Sequence, residues 1–175
     1  MVLTVHTAET IRDRVRRSAS RSAKDDFYHL TFQAMSTVCR VSFRTANARL
    51  AEDYQAQVLY WVADFESRYS RFLPESIISK INAAAGRHWV EVDPETDRLF
   101  NLCQEVYFLT RGAFDPTALP LIRLWNWKAK PPVVPEDAAI RAAQTLVGWR
   151  KLQRRPGAIF LPHPGMCLDL GGIGK

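Results

Sequence analysis

Residues 27–44 read FYHLTFQAMSTVCRVSFR. Two runs rich in apolar, β-branched and aromatic residues flank AMST, a pattern that predicts two strands around a turn. The chain then changes period. From Ala46 to about Tyr69, Leu50, Tyr54, Val58, Trp61 and Phe65 recur at spacings of three and four. That spacing predicts an amphipathic helix of about six turns. Its aromatic stripe reads as core packing rather than as a cofactor box.

Further along, SRFLPESIISKINAAAG (70–86) offers Pro74 and Ser76 for a turn and helix start, and Gly86 for a stop. HWVEV (88–92) reads as a short strand. Asp93 can cap a helix with Pro94 at its first position and Gly112 beyond its end. The buried face of that helix is expected to hold Leu99, Leu102, Cys103, Val106 and Leu109. ALPLIRLWNW (118–127) is a short apolar segment, and KAKPPVVPED (128–137) a surface loop before a helix at about 136–146. AIFLPHPGMCLDL (158–170) reads as two short strands around a turn at Pro162, Pro164 and Gly165. Strands and helices mix without strict alternation, and no internal repeat is visible. The fold class this predicts is α+β, with a mixed, largely antiparallel sheet and flanking helices.

Composition narrows the function. The chain has 175 residues, 47% of them hydrophobic, with nine Phe, five Tyr and five Trp, which suits a packed core rather than disorder. No apolar run is long enough to span a membrane, and the first residues lack the order of a signal peptide, so the chain reads as cytoplasmic. Cys39, Cys103 and Cys167 are far apart and form no C-x-x-C pair. They are expected to be buried free thiols.

The net charge of +6 does not point to nucleic acid, because its distribution is local. Residues 1–24 hold six basic and two acidic side chains, leaving 18 basic and 16 acidic in the rest. Residues 1–26 are therefore expected to form a basic flexible tail, partly helical and solvated, with residues 27–175 as the folded portion.

The C-terminal LDLGGIGK (168–175) raises two simpler readings, a disordered glycine-rich end and a phosphate-binding loop. The common phosphate loop needs Gly, four residues, Gly, Lys and then Ser or Thr. Gly174 and Lys175 fit its end, but the first glycine would fall on Asp169. RGAFDPT (111–117) places a second acid, Asp115, in a turn after a helix, and QAMSTV places Met35 at a strand junction. An Asp before Pro is ordinarily a turn residue. Two turn carboxylates beside a glycine loop suit a ligand that carries both phosphates and a hydrogen-bonding ring.

In order, QAMST, SRYSRFLPESIISKIN, TRGAFDPTALPLIRLW, LVGWRKL and PGMCLDLGGIGK resemble the flavin transferases of the ApbE family. The resemblance runs from about Phe27 to Lys175, with GAFDPT and LDLGGI its most specific parts. It implies an α+β fold and a Mg²⁺-dependent activity. The FMN half of FAD moves onto a Thr or Ser hydroxyl of a target protein, and AMP is released. It implies FAD contacts at Met35, Phe72, Ala113, Phe114, Asp115, Asp169 and Lys175, and a metal-binding carbonyl at Gly172. Phe72 stands where the family usually has Tyr, so ring stacking is retained and a hydroxyl hydrogen bond is lost.

The family motif continues beyond this point into a helix, and the later part holds a histidine at the FAD site and most of the metal ligands. The resemblance therefore implies the N-terminal portion of a flavin transferase domain, by itself an inactive fragment, with no catalytic residue assigned. The alternative expectation is a non-catalytic FAD- or nucleotide-binding module.

Overall fold

The computed structural model describes residues 7–125, 130–131 and 133–174. These fall into two compact units, the first made of the residues up to Ser76 together with Gly174 and the second spanning Ile77–Ile173.

In the first unit the two expected strands form, with a third, unexpected one beside them. β1 (Ser20–Lys24), β2 (Phe27–Ala34) and β3 (Thr37–Arg44) make an antiparallel sheet in the order β1-β2-β3. Pairing runs without a break from Phe27↔Arg44 to Ala34↔Thr37, leaving Met35 and Ser36 as a two-residue loop. Successive side chains of a strand face opposite ways, so Leu30, Phe32 and Ala34 enter the core while their neighbours do not.

The segment expected as a flexible tail is structured from Ala8 to Lys24. α1 (Ala8–Arg17) begins with a reciprocal cap between Thr7 and Thr10 and buries Ile11 and Val15, four residues apart. Arg14, Arg16 and Arg17 lie in its last turn, where positive charge suits the helix dipole. The strand β1 then pairs with β2 along its whole length, from Ser20↔Thr31 to Lys24↔Phe27.

α2 (Ala48–Tyr69) is the expected long helix, started by Asn47, whose Oδ1 accepts from Leu50 N at 3.1 Å. Its buried face differs from expectation. Ala51, Gln55, Leu59, Ala63 and Ser67 are inside, whereas Leu50, Tyr54 and Trp61 are exposed. Small Ala51, Ala63 and Ser67 share that face with the larger Gln55 and Leu59, while Val58 and Phe65 of the expected stripe are half-buried, Val58 against the core cluster.

The second unit contains α3 (Ile77–Ala83), β4 (Val90–Glu91), α4 (Pro94–Leu109), α5 (Leu119–Ile122), α6 (Asp137–Gln144), a 3₁₀ turn at Trp149–Lys151, β5 (Gln153–Arg155) and β6 (Ala158–Phe160). Its short sheet is antiparallel in the order β4-β6-β5. α4 starts as expected, with Asp93 Oδ1 accepting from Thr96 N at 2.8 Å and Pro94 in its first turn. Its buried residues are Thr96, Phe100 and Cys103, whereas Leu102 and Leu109 are exposed. Phe100 stacks near Trp149, their ring centroids 5.9 Å apart.

Residues 166–170 do not form the strand that their apolar run predicts. Met166, Cys167, Leu168 and Leu170 are nonetheless buried. The Asn82 side chain serves Leu168 as a strand neighbour would. Leu168 N donates to Asn82 Oδ1 at 2.7 Å, and Asn82 Nδ2 donates to Leu168 O at 3.0 Å. Nearby, Gly86 has φ +74° and donates its N–H to Leu161 O at 2.7 Å. A Cβ at Gly86 would lie 2.5 Å from Pro164 Cγ.

Candidate functional site

The expected site residues fall in both units. In the first unit, Met35 and Ser36 form the hairpin tip with φ +51° and +58°. Neither is glycine, although a left-handed conformation at both loop positions ordinarily selects Asn and Gly. Met35 N donates to Glu66 Oε2 at 2.9 Å, and its half-buried side chain packs on the core cluster of Leu30, Phe32 and Leu59. Phe72 is exposed, with the Arg71 guanidinium 4.2 Å from its ring centroid.

The second unit brings GAFDPT and LDLGG together. Asp169 N donates to Pro116 O at 2.8 Å, joining the two segments backbone to backbone. The Phe114 ring lies against Gly172, where a Cβ would sit 3.3 Å from Phe114 Cε2. Gly172 is exposed, Asp169 is half-buried, and Ala113 is exposed beside Phe114. Lys175 lies outside the described residues, as do parts of the apolar segment 118–127 and the loop 128–137.

Both carboxylates shape their own turns. Asp115 Oδ1 accepts from Thr117 N at 2.8 Å and from Thr117 Oγ1 at 2.6 Å, and its Oδ2 accepts from Trp149 N at 3.2 Å. Thr117 is fully buried, and its hydroxyl accepts in turn from Gly148 N at 2.7 Å. Asp115 and Thr117 thus tie the loop before the 3₁₀ turn to the GAFDPT segment. Asp169 Oδ1 accepts from Gly171 N at 2.9 Å, the short-range pattern of an Asx turn. The turn-forming role of each Asp is therefore visible, and an ionised carboxylate has about four lone-pair sites to share between a turn and a ligand.

Three residues of these networks were not singled out by the sequence. Thr117 sits two residues after Asp115, a spacing that suits a local side-chain turn and could have flagged it. Asn82 and Glu66 act across the fold, and nothing local marks them.

The donor set for a metal is thin. Gly172 can offer one carbonyl oxygen. Among the described residues no group of three or more His, Cys, Asp or Glu is placed to hold a metal ion. A hard cation takes six or more oxygens, so the described residues do not by themselves fit Mg²⁺.

Burial also governs the thiols. Cys103 and Cys167 are buried and Cys39 half-buried, all three free. Burial pushes the Cys103 thiol up from 9.0 to about 12, against a smaller downward pull from the Arg154 charge. Arg154 itself is bound to Asp97 Oδ1 at 2.7 Å and Asn101 Oδ1 at 2.8 Å. Among the described residues no helix is long and apolar enough to cross a membrane.

The chain is a member of the ApbE family, whose model matches residues 35–175. An FAD:protein FMN transferase of Klebsiella pneumoniae is 32% identical over 126 residues, covering 71% of this chain and 40% of the relative. One of Treponema pallidum is 30% identical over 154 residues, covering 81% of this chain and 41% of the relative. The crystal structure of the ApbE protein of Thermotoga maritima superposes with a TM-score of 0.73 at 29% identity. That match covers 85% of this chain and 48% of the other. The chain spans about half the length, or less, of these relatives.

Proposed function

We propose that residues 27–175 are the N-terminal portion of a flavin transferase domain, and that they bind FAD. In the whole reaction an acceptor Thr or Ser oxygen attacks the phosphorus of the FMN half. The new bond is P–O to the acceptor, the bond broken is the P–O bond to AMP, and the hydroxyl proton is released. Catalysis of such a displacement is mostly positioning and charge stabilisation.

The observation that supports this reading is the hydrogen bond between Asp169 N and Pro116 O. It fixes the Asp turn and the glycine turn side by side at 2.8 Å. In the second unit, Ala113, Phe114, Asp115 and Asp169 would contact the cofactor, with Phe114 offering a ring face and the carboxylates accepting hydrogen bonds. Met35 and Phe72 are proposed as further FAD contacts on the family resemblance alone. Lys175 is proposed to contact FAD on the family resemblance alone. Mg²⁺ is proposed on the same ground, with Gly172 giving one oxygen.

Quenching of flavin fluorescence tests the binding. FAD is expected to bind the chain, and Asp169→Asn to weaken binding about ten- to a hundredfold while leaving the melting temperature in place, because Asn also forms the turn. No binding by the parent chain, or an Asp169→Asn loss that tracks unfolding, overturns the reading. An FMN adduct on a Thr-bearing acceptor, sought by mass spectrometry, separates transfer from the binding-only alternative.

A further inference from the structure

The hairpin tip of the first unit is held from outside the hairpin. Two consecutive non-glycine residues, Met35 and Ser36, are left-handed there. Such a conformation persists only where the surroundings over-determine it. Here the surroundings are two helices. Glu66, near the end of α2, accepts the Met35 N–H through Oε2 at 2.9 Å. Its other oxygen, Oε1, is held by Arg14 Nη2 of α1 at 2.5 Å. The Glu66 side chain is only 13% exposed, which strengthens both contacts relative to a pair in open water. α1 is anchored by the buried Ile11 and Val15, and its C-cap grips the strand next to the tip. Ser18 Oγ accepts from Gln33 N at 2.9 Å. The open side of the tip carries a hollow of about 240 Å³, lined by Arg14, Gln33, Ala34, Ser36, Thr37 and Val38.

We propose that Glu66, oriented by Arg14, is a positioning residue that locks the Met35–Ser36 turn and so presents Met35 to the flavin. This rests on the FAD reading above. It also explains why α1 is folded onto the first unit, since a helix that looks like a basic tail supplies the arginine that fixes the carboxylate.

The test uses Glu66→Ala, Glu66→Gln, Arg14→Met and Met35→Ala in the full chain. Three quantities are read: amide hydrogen exchange at Met35, FAD affinity by fluorescence quenching, and the melting temperature. Glu66→Ala is expected to speed Met35 exchange and to weaken FAD binding, each about tenfold. Glu66→Gln, whose amide oxygen still accepts the Met35 N–H, should restore both to within about threefold. Arg14→Met should fall between them, and it decides the matter if Glu66→Ala does not fold. In the Met35→Ala background, Glu66→Ala should cost no further affinity, since a residue acting through another is silent once that other is gone. Unchanged Met35 exchange in Glu66→Ala and Arg14→Met overturns the proposal, as does an affinity loss that persists without Met35. If the parent binds no FAD, the flavin reading and the presentation of Met35 fail together. Met35 exchange then still shows whether the turn is locked.

Discussion

The two units satisfy their backbone polar groups in different ways. In the first, β1, β2 and β3 pair with one another over most of their lengths, so each hydrogen bond is one of a ladder. In the second, strands are two or three residues long, and among the described residues the segment after β6 runs without a partner strand. Single side chains stand in for the missing ladder: Asn82 for Leu168, Thr117 for Gly148, and Asp115 for Trp149. A ladder shares a loss among neighbours. A single side chain does not, so the second unit concentrates its stability in a few polar residues.

The largest expected effect follows directly. Asn82→Ala leaves the N–H and C=O of fully buried Leu168 without their side-chain partner, and should destabilise the fold by about 2–4 kcal/mol. Ser18→Ala in the first unit also removes one acceptor, from Gln33, but that residue is exposed and water can replace it. It should cost about 1 kcal/mol or less. Urea unfolding of both variants measures the contrast, and equal losses would break it.

Next in size is Thr117→Val. It keeps the shape of a buried side chain but strips the hydroxyl that bridges Asp115 and Gly148. A loss of about 2 kcal/mol is expected. Thr117→Ser should recover most of the polar part. A valine variant as stable as the parent would show that the bridge carries little.

The smallest effect concerns Cys103, which should be silent at neutral pH. With its thiol pushed up to about 12 by burial, it should resist alkylation at pH 8 and react only after unfolding. The sign of the pH dependence is fixed by the raised value. The contribution is present in full below pH 9.0, where the thiol is protonated in both states. It is lost as pH rises toward 12, because only the unfolded chain deprotonates. Rapid labelling of Cys103 in the folded chain, or flat stability from pH 9 upward, would contradict this.

The sequence made the regular parts legible. The strands around Met35, the length of α2, and the Asp93–Pro94 start of α4 follow from period and capping, which are local. Three things escaped because they are not local. β1 is SRSAK, with no apolar alternation, and only its pairing with β2 makes it a strand. α1 shows just two buried residues among its charges. The buried face of α2 joins Ala51, Ala63 and Ser67 to Gln55 and Leu59, so spacing rules keyed to bulky side chains pick a neighbouring stripe, whose Leu50, Tyr54 and Trp61 are exposed. At the candidate site, Asp115 and Asp169 stood out as acids in odd places. Glu66, Asn82 and Thr117 gain their roles only from what the fold brings to them.

Gly86 and Pro164 have a consequence for the order in which substitutions can accumulate. Shrinking Pro164 makes room but leaves φ at +74°, which still disfavours any side chain at position 86. Enlarging Gly86 first meets both the ring at 2.5 Å and the backbone conformation. The proline can therefore change while the glycine stays, but the glycine gains little freedom once the proline has gone. Of two residues in one contact, one can be exchanged alone and the other cannot, and the backbone torsion decides which.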